Sequence, residues 1–127
     1  MVDGELNGMG TVIAPGSLAG AVRYAHQVSG VPVLVTEHGI QTSDDAQRAA
    51  FLPGAVRELV AEAGTGTPSL GYCRWILLDN FEWIFGYGAQ LGLYEVDRAT
   101  FQRYPKPGAR VYADVVRARR GALTASR

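Results

Sequence analysis

Two short apolar runs and the distance between them constrain this chain most. "VPVLVT" (31–36) and "LGYCRWILLD" (70–79) are rich in the β-branched and aromatic residues that strands favour. Both read as strands buried on both faces, the pattern of a parallel sheet. Between them lies "TSDDAQRAAFLPGAVRELVAEAG", which reads as a helix with Ser43 or Asp44 as cap and acids in its first turn. Pro53 and Gly54 predict a kink or a break within it. Strand, helix, strand at this spacing is a βαβ unit, so the class is α/β with parallel pairing. Two parallel strands do not make a stable sheet alone. The pair therefore reads as a piece of a larger sheet.

The flanking segments extend that pattern. Residues 1–16 are Gly-rich and read as a loop. "SLAGAVRYAHQVSG" follows as a helix, with Ser17 as cap, Leu18, Ala21, Val22 and Ala25 at helical spacing, and Gly30 as stop. After the second strand, "NFEWIFGYGAQ" is an aromatic loop. "LGLYEVDRATFQRYPK" alternates around a turn near Asp97–Thr100 and reads as a β-hairpin. "PGARVYADVVRARRG" closes the chain as a helix, with Pro107 in its first turn and a basic end.

Composition excludes several functions. Twelve basic and twelve acidic residues cancel, and no basic stripe points to nucleic acid. Cys73 is the sole cysteine, so no internal disulfide forms, and His26 and His38 are too few and too scattered for a metal site. No apolar stretch approaches transmembrane length, and "MVDGELNGMG" lacks the plan of a signal peptide. A soluble cytoplasmic chain of 127 residues, with no metal, no cofactor and no membrane partner, is the expectation.

In α/β folds, functional groups gather at the carboxyl ends of the strands. The first run ends in Glu37. Trp75 lies in the second run, and Glu82 and Trp83 follow its end. Adjacent parallel strands would bring these residues to one rim. Carboxylates beside aromatic rings suit sugar recognition: the C–H face of a sugar packs on an indole, and carboxylates and indole N–H groups bond its hydroxyls.

The segments "VLVTEHG" and "GYCRWILLDNFEW" resemble the family 1 glycoside hydrolases, the β-glucosidase family, whose usual forms are "TENG" and "GYxxWSLLDNFEW". The later "LGLYEVD" and "RYPKPGARVYADVV" resemble that family's "FGLVYVD" and "RxPKxSAxWYxxVI". The resemblance runs from about Gly8 to Arg119 but covers only the last quarter or so of a family member. It implies a partial (β/α)₈ TIM barrel, holding the last two strands with their helices and a β-hairpin. A whole barrel needs about 250 residues. On this view residues 1–127 form one unit, a carboxy-terminal fragment of such a barrel.

The resemblance also implies roles. Glu37 would be the nucleophile of a retaining β-glycosidase, Trp75 would stack under the sugar, Glu82 would bind sugar hydroxyls in a bidentate way, and Trp83 would donate its N–H to another. Retention requires a second carboxyl group about 5–5.5 Å from the nucleophile. The family carries it in an "NEP" segment, and this chain contains no Asn-Glu-Pro. Among the acids present, Glu82 is the one expected on the same rim, and its implied use is binding. Asp79 reads as a structural hydrogen-bond acceptor; Asp44, Asp45, Glu58 and Glu62 read as helix surface charge. His38, Ile76 and Leu91 stand where the family commonly has Asn, Ser and an aromatic residue.

Two functions follow. One is the carboxy-terminal part of a retaining β-glycosidase, acting on a β-glucoside or related sugar when joined to the missing barrel segment. The other is an inactive remnant or weak carbohydrate-binding protein. Bare strand edges and apolar faces predict self-association in either case.

Overall fold

The computed structural model describes residues 5–125. The elements run α1 (Ser17–Ser29), β1 (Val33–His38), α2 (Asp45–Gly64), β2 (Ser69–Arg74), a 3₁₀ turn (Trp83–Phe85), β3 (Tyr94–Val96), β4 (Arg103–Pro105) and α3 (Pro107–Ala125). β1 and β2 pair in parallel, and β3 and β4 form the antiparallel hairpin. The α/β reading and the βαβ unit therefore hold.

The helices cover one face of the β1–β2 pair. Leu18 and Val22 of α1, Val35 of β1 and Leu59 of α2 form one apolar cluster, flanked by Val33 and Tyr72. Ile40, Phe51 and Ala55 form a second, and Leu52, Leu93 and Ala109 a third that joins α2 to α3. Burying one such side chain stabilises the fold by about 1.5–3 kcal/mol.

Several expectations need correction. The strands are not buried on both faces: Leu34 of β1 is 49 % exposed. Two strands with helices on one side leave the other side open. β2 ends at Arg74 rather than at Asp79. Beyond it the Trp75–Ile76 peptide is cis, and residues 76–79 run beside 91–94 instead. There the Leu93 and Tyr94 amides donate to the Ile76 and Leu77 carbonyls at 3.0 and 2.9 Å, and the Asp79 amide donates to the Tyr94 carbonyl at 2.9 Å.

α2 runs unbroken through Pro53. The missing N–H costs one helical bond, and burial of Phe51, Leu52, Ala55 and Leu59 around it offsets that loss. Asp44 caps the helix, its carboxylate accepting from the Ala46 amide at 2.9 Å. Ser17 is not the cap of α1. Gly16 holds that position without a side-chain bond, and the Ser17 hydroxyl donates back to the Ala14 carbonyl. In α1 the buried residues are Leu18, Ala19 and Val22, while Ala21 and Ala25 face out. Gly30 ends α1 in the left-handed conformation, as expected.

The hairpin turn falls where the alternation placed it. The Asp97 carboxylate accepts from the Ala99 and Thr100 amides at 2.8 and 3.1 Å, and these bonds hold its pKa below the ordinary carboxylate value. No helix among the described residues is long and apolar enough to cross a membrane.

Candidate active site

The end of β1 is built around a bulge. Val35 pairs with Tyr72 and His38 with Arg74, so β1 advances three residues while β2 advances two. An extra residue of this kind re-aims side chains. Val35 and His38 both lie on the helix side: Val35 packs in the α1–α2 cluster, and His38 stacks on Phe51 of α2 with ring centroids 5.4 Å apart. Thr36 and Glu37, between them, are both exposed. Strict alternation would put one of them among the helices. The bulge frees both.

Trp75 is brought to the same strand end. Its amide donates to the His38 carbonyl at 2.9 Å, so the residue after Glu37 is bonded directly to Trp75. Gly39 makes this approach possible: a Cβ there would stand 1.8 Å from Arg74 Nη1 and 2.1 Å from the Trp75 carbonyl oxygen. Arg74 lies on the helix side as its alternation with Trp75 predicts. It donates to the Leu91 carbonyl at 2.9 Å, and burial pushes its pKa down to about 10.

His38 is held neutral. Burial first, and the Arg74 charge second, push its pKa down to about 4. Its Nδ1 shares a hydrogen bond with the Tyr72 hydroxyl at 3.1 Å. Burial pushes the Tyr72 phenol up to about 12.

Glu82 and Trp83 stand on the aromatic loop that leaves this strand end. The loop is tied tightly to itself: the Glu82 amide donates to Gly86 at 2.7 Å and the Phe85 amide to Glu82 at 2.8 Å. Trp83 has φ 45° and is 84 % exposed. A bulky residue in the left-handed region stores about 1–3 kcal/mol of strain, and such outliers cluster at ligand sites. Glu82 is half-buried, and its Oε1 is buried without a hydrogen-bond partner among the described residues. A buried carboxylate oxygen left unpaired is costly, and a ligand hydroxyl is one donor that would satisfy it.

The loop's ends are anchored by buried charges, and Asp79 is the structural acceptor that the sequence suggests. Asp79 is buried and accepts from the Gly92 amide at 2.7 Å, while its other oxygen pairs with Lys106 Nζ, the chain's only lysine, at 2.6 Å. Gly92 is required there, because a Cβ would stand 2.3 Å from the Asp79 nitrogen. Arg98 reaches over from the hairpin turn, with its guanidinium carbon 3.5 Å from the centre of the Tyr87 ring, which packs edge-on against Phe81.

At the far end of the loop, the Gln90 carbonyl accepts from Arg48 Nη2 at 2.6 Å and from the Thr42 amide at 3.1 Å. Arg48 is 1 % exposed and is ion-paired with Asp45, whose other oxygen accepts from the Gly108 amide at the start of α3. Asp45 and Glu62 are thus not surface charge. Glu62 is buried, paired with Arg23 at 2.7 Å and accepting from the Thr67 hydroxyl at 2.7 Å. A charge inside a helical pattern gives no sign of which loop it will tie down, so these nodes were hidden in the sequence.

A cavity of about 420 Å³ lies elsewhere, between α2, β2 and α3, lined by Leu59, Leu70 and Val115 among others. Its β2 lining is Ser69, Leu70, Gly71 and Tyr72, toward the start of that strand. No group of three His, Cys, Asp or Glu among the described residues is placed to hold a metal.

Against known proteins, the family model described as Glycosyl hydrolase family 1 matches residues 5–121. The chain belongs to this family. Putative beta-glucosidase 15 of Oryza sativa subsp. japonica is 37 % identical over 112 residues, covering 80 % of this chain and 31 % of the relative. A beta-galactosidase of Pyrococcus woesei is 35 % identical over 104 residues, covering 82 % and 20 %. Among solved structures, the apo structure of a beta-glucosidase 1317 superposes with a TM-score of 0.87 at 43 % identity, covering 90 % of this chain and 28 % of that one. A family 1 b-glucosidase from Thermotoga maritima in complex with isofagomine lactam gives 0.86 at 28 % identity, covering 92 % and 29 %. This glycosyl hydrolase family 1 chain therefore spans less than a third of the length of these relatives.

Proposed function

We propose that these residues are the carboxy-terminal part of a retaining β-glycosidase, a partial (β/α)₈ barrel that carries the nucleophile and part of the sugar site. The observation that carries the reading is the bulge, which turns Glu37 out at the strand end beside Trp75. In this reading Glu37 attacks the anomeric carbon and expels the aglycone. Water then cleaves the glycosyl ester, regenerating the carboxylate. Trp75 stacks under the sugar ring. Glu82, with its unpaired oxygen, accepts from sugar hydroxyls, and the exposed Trp83 donates its indole N–H.

The acid that protonates the leaving oxygen comes from outside these residues, in the barrel segment that the solved relatives possess and this chain does not span. The substrate class is a β-glucoside or a related β-glycoside, in keeping with the β-glucosidases and β-galactosidases among the relatives. The open face of β1, with Leu34 exposed, is where that segment would seat.

The test is an aryl β-glucoside assay of the chain alone and mixed with the complementary barrel segment of a family member. The reading predicts negligible turnover alone, since a lost general acid costs about 10²–10⁴-fold, and turnover on mixing that Glu37→Gln abolishes. Assembly without turnover would instead favour an inactive or merely sugar-binding remnant.

A further inference from the structure

The bulge that presents Glu37 needs something to hold it, because the extra residue leaves the ladder locally unpaired. The bonds at this point converge on His38. Its ring stacks on Phe51 of α2 at an interplanar angle of 20°, and meets Tyr72 of β2 edge-on at 5.6 Å. Its Nδ1 is bonded to the Tyr72 hydroxyl at 3.1 Å. Its carbonyl takes the Trp75 amide at 2.9 Å and lies 3.4 Å from Arg74 Nη1. Ring and carbonyl together tie β1, β2 and α2 at the residue next to Glu37.

We propose that His38 is the positioning residue for Glu37: its ring, clamped between Phe51 and Tyr72, pins the bulged strand end to the helix layer and so holds Glu37 on the opposite face beside Trp75. The proposal rests on the reading of Glu37 as nucleophile only for its catalytic consequence; the anchoring itself does not.

The clamp works with a neutral ring. The charge that faces it is Arg74 of β2, which opposes a second positive charge. Tyr72 stands beside it as a protonated phenol. From α2 the ring meets Phe51, while Arg48 and Asp45 of that helix act on Arg74 rather than on His38, and from α3 Tyr112 reaches it only through Tyr72. Protonation in acid therefore places two cations together, weakening the clamp on the strand end.

The experiment is site-resolved amide exchange on the chain at several pH values, together with ¹⁵N shifts of the His38 ring. In the wild type, loss of protection at Glu37 and Trp75 should follow the His38 titration, near pH 4. His38→Ala should lower protection at Glu37 and Trp75 by about tenfold, one factor of ten per 1.4 kcal/mol. It should leave Leu52 and Ala55 in the α2 core within about twofold, since local opening and global unfolding are separable. His38→Asn, whose amide can still bond the Tyr72 hydroxyl, should restore part of the protection. Should His38→Ala fail to fold, Tyr72→Phe removes only the hydroxyl and should give a smaller loss at the same two amides.

Uniform loss across the chain, or unchanged protection at Trp75, would overturn the proposal. In the assembled enzyme, His38→Ala should lower kcat with KM little changed. If exchange behaves as expected but kcat does not move, the anchoring stands and the nucleophile assignment is what fails.

Discussion

The two faces of the β1–β2 pair are built on different terms. The helix side is closed: Val35 packs among Leu18, Val22 and Leu59, and the Arg48–Asp45 pair ties α2 to the loop at Gln90 and to the start of α3. The opposite side is open: Leu34, Thr36 and Glu37 are exposed, and Trp83 stands on a strained loop. Soluble monomers rarely leave a large contiguous apolar patch bare. In the reading proposed above, this chain holds its own helix layer together while the barrel segment it does not span covers the other face. On that reading stability and function sit on opposite faces, and substitutions should separate them.

The largest effects belong on the closed face. Arg48→Met should destabilise the chain by about 3–5 kcal/mol, because it strands Asp45 and two carbonyls. Urea unfolding would show this as a lower midpoint at unchanged slope. A loss below about 1 kcal/mol would mean the node is not the tie described here. Leu52→Ala, at a fully buried site, should cost about 2–5 kcal/mol by leaving a cavity.

A smaller effect is set by pH. The unfolded His38 takes its proton near pH 6.5, whereas the folded one stays neutral down to about pH 4. The unfolded state thus binds more protons between those values, so stability rises with pH across them. This contribution is fully present above about pH 6.5 and is lost as pH falls to about 4. Solvent screening of a partly exposed ring reduces it to about 1–2 kcal/mol. Urea midpoints measured from pH 7 to pH 4 should fall in the wild type and flatten in His38→Asn. Parallel curves for the two proteins would remove His38 from the account.

The smallest effect lies on the open face. Leu34→Ser should change the stability of the chain alone by no more than about 0.5 kcal/mol, yet weaken its assembly with a complementary barrel segment. A large loss in the isolated chain would show that the face is already covered, by self-association for instance, and concentration-dependent light scattering would reveal that.

The legible parts were those with a local signature. The βαβ order, the Asp97 turn and the Gly30 stop can be read from periodicity and turn chemistry. "LLDNFEW" marked the family because it is long. The illegible parts depend on partners distant in sequence. Nothing around Arg48 or Glu62 says that Gln90 or Arg23 will meet them. Pro53 reads as a breaker, and tertiary burial overrode it. Apolar runs read as doubly buried strands, since sequence records what a strand is suited to cover rather than what this stretch of chain supplies. The bulge at Glu37 was hidden for the same reason: a register shift belongs to two strands at once.

The most direct test of the central claim is covalent trapping. The chain, assembled with a complementary barrel segment, would be treated with a 2-deoxy-2-fluoro β-glucoside bearing a dinitrophenyl leaving group, which departs without protonation, and the peptides read by mass spectrometry. The account predicts one fluoroglucosyl ester, on Glu37, absent in Glu37→Gln. A label on Glu82 or on any other carboxylate of the chain would contradict it.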